Sequence, residues 1–234
     1  MFVLAISSQK GGSGKTTLAG HLAVQAELAG RGPVAMIDTD PQGSLAEWWN
    51  ARQAETPVFA RTSVERLGQD LARLRDSGVA LVVIDTPPAI TQTIGEVVRN
   101  ADAVLVPTRP SPHDLRAAGA TVEIVCHFVK PLVFVLNGAA QRARITTEAA
   151  IALSQHGIVA PSVIHQRTNF AAAMIDGRTV MELPSAGKSK DEVAQLWDFL
   201  DARLLRRERR LVLAPQQVAV TQERGGDPLV GAGS

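Results

Sequence analysis

The sequence predicts an α/β fold: a single domain built on a mostly parallel, twisted sheet with helices on both faces. Three observations lead there. Short β-branched apolar runs alternate with longer helical stretches over most of the chain, the order expected of βαβ units. The runs are continuously apolar rather than alternating, which marks strands covered on both faces. The length, 234 residues, suits one such domain with a short appendage.

The elements follow in order. Phe2 to Ser7 reads as the first strand. Lys15 to Ala29 reads as a helix rich in Ala and Leu, ended by Gly30 and Gly32. Val34 to Asp38 is the second strand. Val64 to Asp76 is helical, with Val64, Leu67, Leu71 and Leu74 at helix spacing. Further strands are expected at Val79 to Asp85, Ala103 to Pro107, Leu132 to Asn137 and Val159 to Ile164. Asp191 to Arg210 reads as a long final helix with Val193, Leu196, Trp197, Leu200 and Leu204 on one face. The domain is expected over residues 1–212. Pro, Gln and Gly then accumulate without periodicity, so 213–234 reads as a disordered tail.

Composition excludes several classes. Charged residues are 20% of the chain and the net charge is +1, which excludes a wholly basic nucleic-acid binder but not a local basic patch. One cysteine, Cys126, cannot form an internal disulfide and suits a reducing compartment. It is expected to be a small buried hydrophobe. The N-terminus has no signal-peptide pattern, and no apolar run reaches bilayer-spanning length. The expected location is the cytoplasm. The five histidines show no metal-ligand spacing. Of the adjacent Trp48 and Trp49, one is expected to pack inward and the other to lie nearer the surface.

The segment after the first strand carries the chemistry. Lys10-Gly11-Gly12-Ser13-Gly14-Lys15-Thr16-Thr17 lets the backbone curl and turn its N–H groups inward. With the N-terminus of the next helix, these donors form a cradle for phosphate oxygens. Lys15 is placed to reach the β- and γ-phosphates and Thr16 to ligate Mg²⁺. The fold class is therefore that of the P-loop NTPases, with Mg-ATP as the expected cofactor pair. A second constellation, Asp38-Thr-Asp40-Pro-Gln-Gly43, ends a strand, where carboxylates face the ligand crevice of an α/β sheet. Asp40 is the candidate for holding the attacking water. Asp38 is the candidate for supporting Mg²⁺ or Thr16. The third is Leu81-Val-Val-Ile84-Asp85, an apolar strand ending in a carboxylate that suits Mg²⁺, directly or through water.

These motifs resemble the ParA/MinD family of P-loop ATPases. The general phosphate-loop pattern begins with glycine, but Gln9 stands there, followed by a second lysine, Lys10. That matches the family's deviant K-G-G-x-G-K-[ST] loop over Lys10 to Thr17. The resemblance spans about residues 1–205 and is loose after Asn137. It implies that Lys10 crosses an ATP-dependent homodimer interface to the partner's nucleotide, acting as an arginine finger does. It implies an adenine contact at Asn137, and a dimer and nucleotide role for Pro107 to Leu115. It also implies nonspecific DNA contacts from C-terminal basic residues, here Arg167, Arg178, Lys188 and Lys190.

The D-x-D-P-Q-G wording around Asp40 resembles the ParA branch, and a chain that starts directly at the ATPase strand is expected to resemble its small members without an N-terminal helix-turn-helix. The expected protein is then a nucleoid-associated positioning ATPase stimulated by a ParB-like or other adaptor. The cargo is a plasmid, a chromosome or a protein assembly. The alternative is a MinD-like membrane regulator using the basic run Arg203 to Arg210. Iron–sulfur relatives with the same loop need two cysteines per subunit, and a single Cys126 rejects them.

Overall fold

The structure is a computed structural model that describes residues 1–89 and 91–205. Seven strands form one sheet: β1 (Phe2–Ile6), β2 (Val34–Asp38), β3 (Val58–Phe59), β4 (Leu81–Asp85), β5 (Ala103–Thr108), β6 (Leu132–Ala139) and β7 (Ile158–His165). Their order is β3-β2-β4-β1-β5-β6-β7, and every pair is parallel. The helices are α1 (Lys15–Leu28), α2 (Ser44–Ala51), α3 (Leu67–Asp76), α4 (Thr91–Asn100), α5 (Pro112–His127), α6 (Arg144–Ser154), α7 (Thr168–Met174) and α8 (Lys188–Leu200).

The two-residue period of a strand sorts each apolar run between two cores. Phe2, Leu4 and Ile6 point to one face, where Leu18 and Leu22 of α1, Trp48 of α2 and Val193, Leu196 and Trp197 of α8 cover them. Val3 and Ala5 point to the other, under Leu71 of α3, Val97 of α4 and Val125 of α5. The sheet is thus buried on both sides, as its unbroken apolar runs require. β7 is an edge strand and carries Pro161, a residue with no amide to leave unpaired.

The sequence-based boundaries hold with local differences. The helix expected over Val64 to Asp76 opens as a 3₁₀ turn at Val64–Arg66 before α3 begins. β3 was not expected: only two residues pair with β2, too few to show a strand pattern. The final helix starts at Lys188 rather than Asp191 and passes into a π turn at Asp201–Leu205. The rest of the span to Arg210, and the expected tail, lie outside the described residues.

Cys126 corrects an expectation: it is exposed. On α5 the sheet-facing positions are Ala118, Thr121 and Val125, and the helical turn carries residue 126 off that stripe. The tryptophans divide as expected. Trp48 is buried and donates from Nε1 to the Arg178 carbonyl at 3.1 Å. Trp49 is partly buried against Phe59.

Two further ties fix helices that flank the site. His21, fully buried on α1, joins Thr17 to Val180: its Nδ1 lies 2.7 Å from the Thr17 carbonyl, and the Val180 amide donates to Nε2 at 3.1 Å. Arg52, just past α2, makes a bidentate pair with Glu182 at 2.9 and 2.7 Å.

Candidate functional site

Three parallel strands bring the site together at their C-terminal ends. β1 runs into the loop Ser7 to Gly14 and then α1. β2 and β4 end in register, with Asp38 beside Asp85. This is where open α/β sheets present ligands. A cavity of about 730 Å³ opens there. Gly11, Gly12, Lys15, Thr16 and Thr17 line one wall and Asp40 another.

The loop has the backbone that its glycines predict. Gly12 and Gly14 have φ of +72° and +95°, a region that L side chains disfavour. A side chain at Gly14 would also collide with the Asn137 amide. Asn137 donates from Nδ2 to the Ser13 carbonyl at 2.6 Å, so β6 props the loop from below. The Gln9 amide donates to Thr121 Oγ1 of α5 at 3.2 Å. Lys10 itself is exposed. Lys15 is buried, and its Nζ reaches back to the Lys10 carbonyl at 3.4 Å. Burial holds the Lys15 ammonium below its ordinary range, against the opposing pull of Asp85 and Asp40.

The carboxylates take distinct positions. Thr16 Oγ1 donates to Asp85 Oδ2 at 2.5 Å. The second oxygen of Asp85, Oδ1, is buried with no hydrogen-bond partner. Burial pushes the Asp85 carboxyl up to about 7, opposed by the Thr16 hydroxyl and reinforced by Asp38. Asp38 accepts from the amides of Asp40 (2.9 Å), Leu45 (2.9 Å) and Ala46 (3.1 Å). It therefore ties the turn to the start of α2, and burial raises its pKa. Asp40 is half-buried at the cavity wall, with Oδ1 accepting the Gln42 amide at 3.0 Å.

The Thr16 hydroxyl and the orphaned Asp85 oxygen are hard oxygen donors of the kind a divalent cation takes, while the described residues hold no cluster of three or more carboxylate, histidine or cysteine ligands. Thr16 and Asp85 fit Mg²⁺. Asp38 stands beside them with its oxygens engaged by backbone amides.

The structure separates the predicted basic residues. Arg167 and Lys188 share a second cleft of about 480 Å³. Lys190 lies on α8, half-buried, outside that cleft's lining. Arg178 is elsewhere, paired with Asp176 near Arg52. Residues not singled out individually in the sequence also line the cavity at the strand ends. Arg109, within the Pro107 to Leu115 stretch, is exposed at the cavity and forms no ion pair among the described residues. Met174, the last residue of α7, and Ile175 just past it line it too. Only a lone arginine among prolines signalled the first; nothing in the sequence signalled the others.

Residues 4–180 match the family described as the CobQ/CobB/MinD/ParA nucleotide binding domain. The chain belongs to this family. Its ParA and MinD members are P-loop ATPases, and the loop from Lys10 to Thr17 falls within the matched residues. Among curated relatives, the chain is 30% identical over 205 residues to "Maintenance of carboxysome distribution protein A" of Halothiobacillus neapolitanus, covering 83% of this chain and 94% of the relative. It is 27% identical over 197 residues to "Protein ParA" of Rhizobium radiobacter, covering 79% and 87%.

Solved structures share the fold. The MinC:MinD cell division complex of Aquifex aeolicus gives a TM-score of 0.70 at 15% identity, covering 86% of this chain and 96% of that one. An ATP complex of a Cyanothece McdA variant gives 0.67 at 19% identity, covering 86% and 95%.

Proposed function

We propose that this ParA/MinD-family ATPase is a positioning ATPase of the ParA type. It dimerises on Mg-ATP, holds nonspecific DNA while dimeric, and releases it on hydrolysis. The observation that carries the reading is the meeting of Lys15, Thr16 and the half-satisfied Asp85 at one end of the cavity, with Asp40 on its wall.

The chain's own groups have separable tasks. The loop amides and Lys15 hold the β- and γ-phosphates. Thr16 and Asp85, with Asp38 beside them, would hold Mg²⁺, which would supply charge neutralisation on the phosphate oxygens. Asp40 orients the attacking water. Lys10, exposed at the loop, extends to the partner's triphosphate and stabilises charge there. Asp38 ties the Asp40 turn to α2, so contacts of the γ-phosphate with that turn are relayed to a helix. Loss of the γ-phosphate releases them, which is the logic of an order-changing nucleotide switch.

The DNA reading is preferred to the membrane one. Trp197 and Leu200, apolar positions that lead into the basic run of that alternative, are 1% and 0% exposed in the core, while Arg206 to Arg210 lie outside the described residues. Among the described residues no helix is long and apolar enough to cross a membrane. The cleft places Arg167, itself paired with Glu192, and Lys188 together as two basic groups that phosphates can address. The reading places the protein in the cytoplasm on the nucleoid, with a stimulating adaptor and a cargo such as a plasmid, a chromosome or a protein assembly. Relatives named for carboxysome distribution and for chromosome partitioning support that class of cargo.

The test is association with nonspecific duplex DNA over a salt series, with Mg-ATP and with Mg-ADP. ATP-dependent binding that weakens steeply with salt is expected. Binding that ignores the nucleotide, or adaptor-free binding to anionic vesicles in place of DNA, would overturn the reading.

A further inference from the structure

Arg167, at the entrance to α7, reaches the Arg167–Lys188 cleft with its charge already engaged. Glu192 of α8 accepts from Arg167 Nη2 at 2.6 Å on Oε1, and from Arg167 Nε at 3.5 Å on Oε2. The same carboxylate accepts the His165 amide at 3.1 Å on Oε2 and His165 Nδ1 at 2.9 Å on Oε1. A carboxylate only accepts, so His165 carries its proton on Nδ1. The pair is partly buried, with 17% of the Arg167 side chain and 12% of the Glu192 side chain exposed. Burial alone would raise the Glu192 carboxyl, but the Arg167 and His165 hydrogen bonds outweigh it and hold it below the ordinary carboxylate range.

The geometry decides which part of the guanidinium is taken. Nε and Nη2 form the side-on fork that grips an oxyanion with two parallel hydrogen bonds. Glu192 holds that fork. Around it the cleft is built to receive an anion. Lys188 and Gly187 line it at the start of α8, and Ser189, also in the lining, is fully buried with no hydrogen-bond partner for its hydroxyl. A phosphate arriving there meets a neutralised arginine and a carboxylate of like charge.

We infer that Glu192 is an internal competitor for the phosphodiester of nucleic acid at this cleft, holding the Arg167 fork and so limiting the affinity of the DNA-bound state. The inference rests on the DNA-binding reading above. It gives that reading a reason to be weak: a surface that must let go after hydrolysis gains from a built-in occupant of its strongest cation.

The experiment measures binding of nonspecific duplex DNA by anisotropy, with Mg-ATP, over a salt series. It compares the wild type, Glu192→Gln, Arg167→Gln and the double variant, with thermal melts to confirm folding. Removing a unit charge about 5 Å from a phosphate in water-like surroundings changes affinity about fourfold. Glu192→Gln is therefore expected to bind about fourfold tighter, with a salt slope steeper by about 1. Arg167→Gln is expected to weaken binding, and Glu192→Gln to gain less in the Arg167→Gln background than in the wild type, because without the fork only the through-space repulsion is left to relieve. If Glu192→Gln fails to fold, Glu192→Asp, one methylene shorter, is expected to show a smaller gain of the same sign. Unchanged or weaker binding by the Glu192 variants, with Arg167→Gln still weakened, would overturn the competitor while leaving the DNA reading standing. Equal binding by wild type and Arg167→Gln would remove DNA from this cleft, and the competitor with it.

Discussion

His21 makes the stability of this fold depend on pH in a way that can be calculated. The imidazole is fully buried on α1 between the Thr17 carbonyl and the Val180 amide. One nitrogen must donate and the other accept, so the folded protein needs the neutral ring. Burial, the largest cause, lowers its pKa from 6.5 to about 4, against opposing pulls from the Thr17 carbonyl and Glu182. The unfolded chain takes up a proton first as pH falls. The contribution is therefore complete above the unfolded value and is lost as pH drops from 6.5 towards 4.

At pH 5 the unfolded imidazole is about 97% protonated and the folded one about 10%. The resulting loss is about 2 kcal/mol relative to pH 7.5, at about 1.4 kcal/mol per pKa unit. Urea unfolding of wild type and His21→Gln at both pH values measures it. Glutamine keeps a donor and an acceptor but does not titrate. It is expected to cost stability at pH 7.5 through imperfect fit. It is also expected to lose about 2 kcal/mol less than wild type on acidification, since the carboxylate contributions are common to both proteins. Parallel stability profiles for the two proteins would refute the buried neutral histidine.

Other outcomes concern the site. Lys10→Ala is expected to bind Mg-ATP yet remain monomeric by light scattering; a normal ATP-dependent dimer would refute the crossing lysine. Asp40→Ala is expected to bind ATP and persist as a dimer with turnover reduced about 100-fold or more, read by phosphate release; near-normal turnover would remove Asp40 from the water-holding role. Gly14→Ala, forced to φ of +95° and against the Asn137 amide, is expected to cost about 1–2 kcal/mol of stability from the backbone alone and to weaken ATP binding, measured by melting with and without nucleotide.

Local signals made much of this legible in the sequence. Unbroken apolar runs gave the parallel sheet, because a strand covered on both faces has no polar side to show. The phosphate loop was legible because its glycines and lysines are contiguous. Asp38, Asp40 and Asp85 were legible because strand ends point at the crevice.

What escaped depends on contacts between distant segments. His21 reads as one more helix residue until Val180 folds onto it. Arg167 reads as a free cation until α8 brings Glu192 to it. Arg178 and Arg167 look alike in the sequence but face different clefts. Asn137 carried only an expected adenine contact, and its tie to the Ser13 carbonyl could not be read before β6 met the loop. The single cysteine was assigned by residue preference, and the turn of α5 placed it outside.

Calorimetric titration of Mg-ATP into the wild type and into Lys15→Ala tests the central claim most directly. The account predicts one saturable site per chain in the wild type and a loss of at least about tenfold in affinity when the buried ammonium is removed. A wild type that takes up no nucleotide, or a Lys15→Ala variant that binds it equally well, would contradict the account.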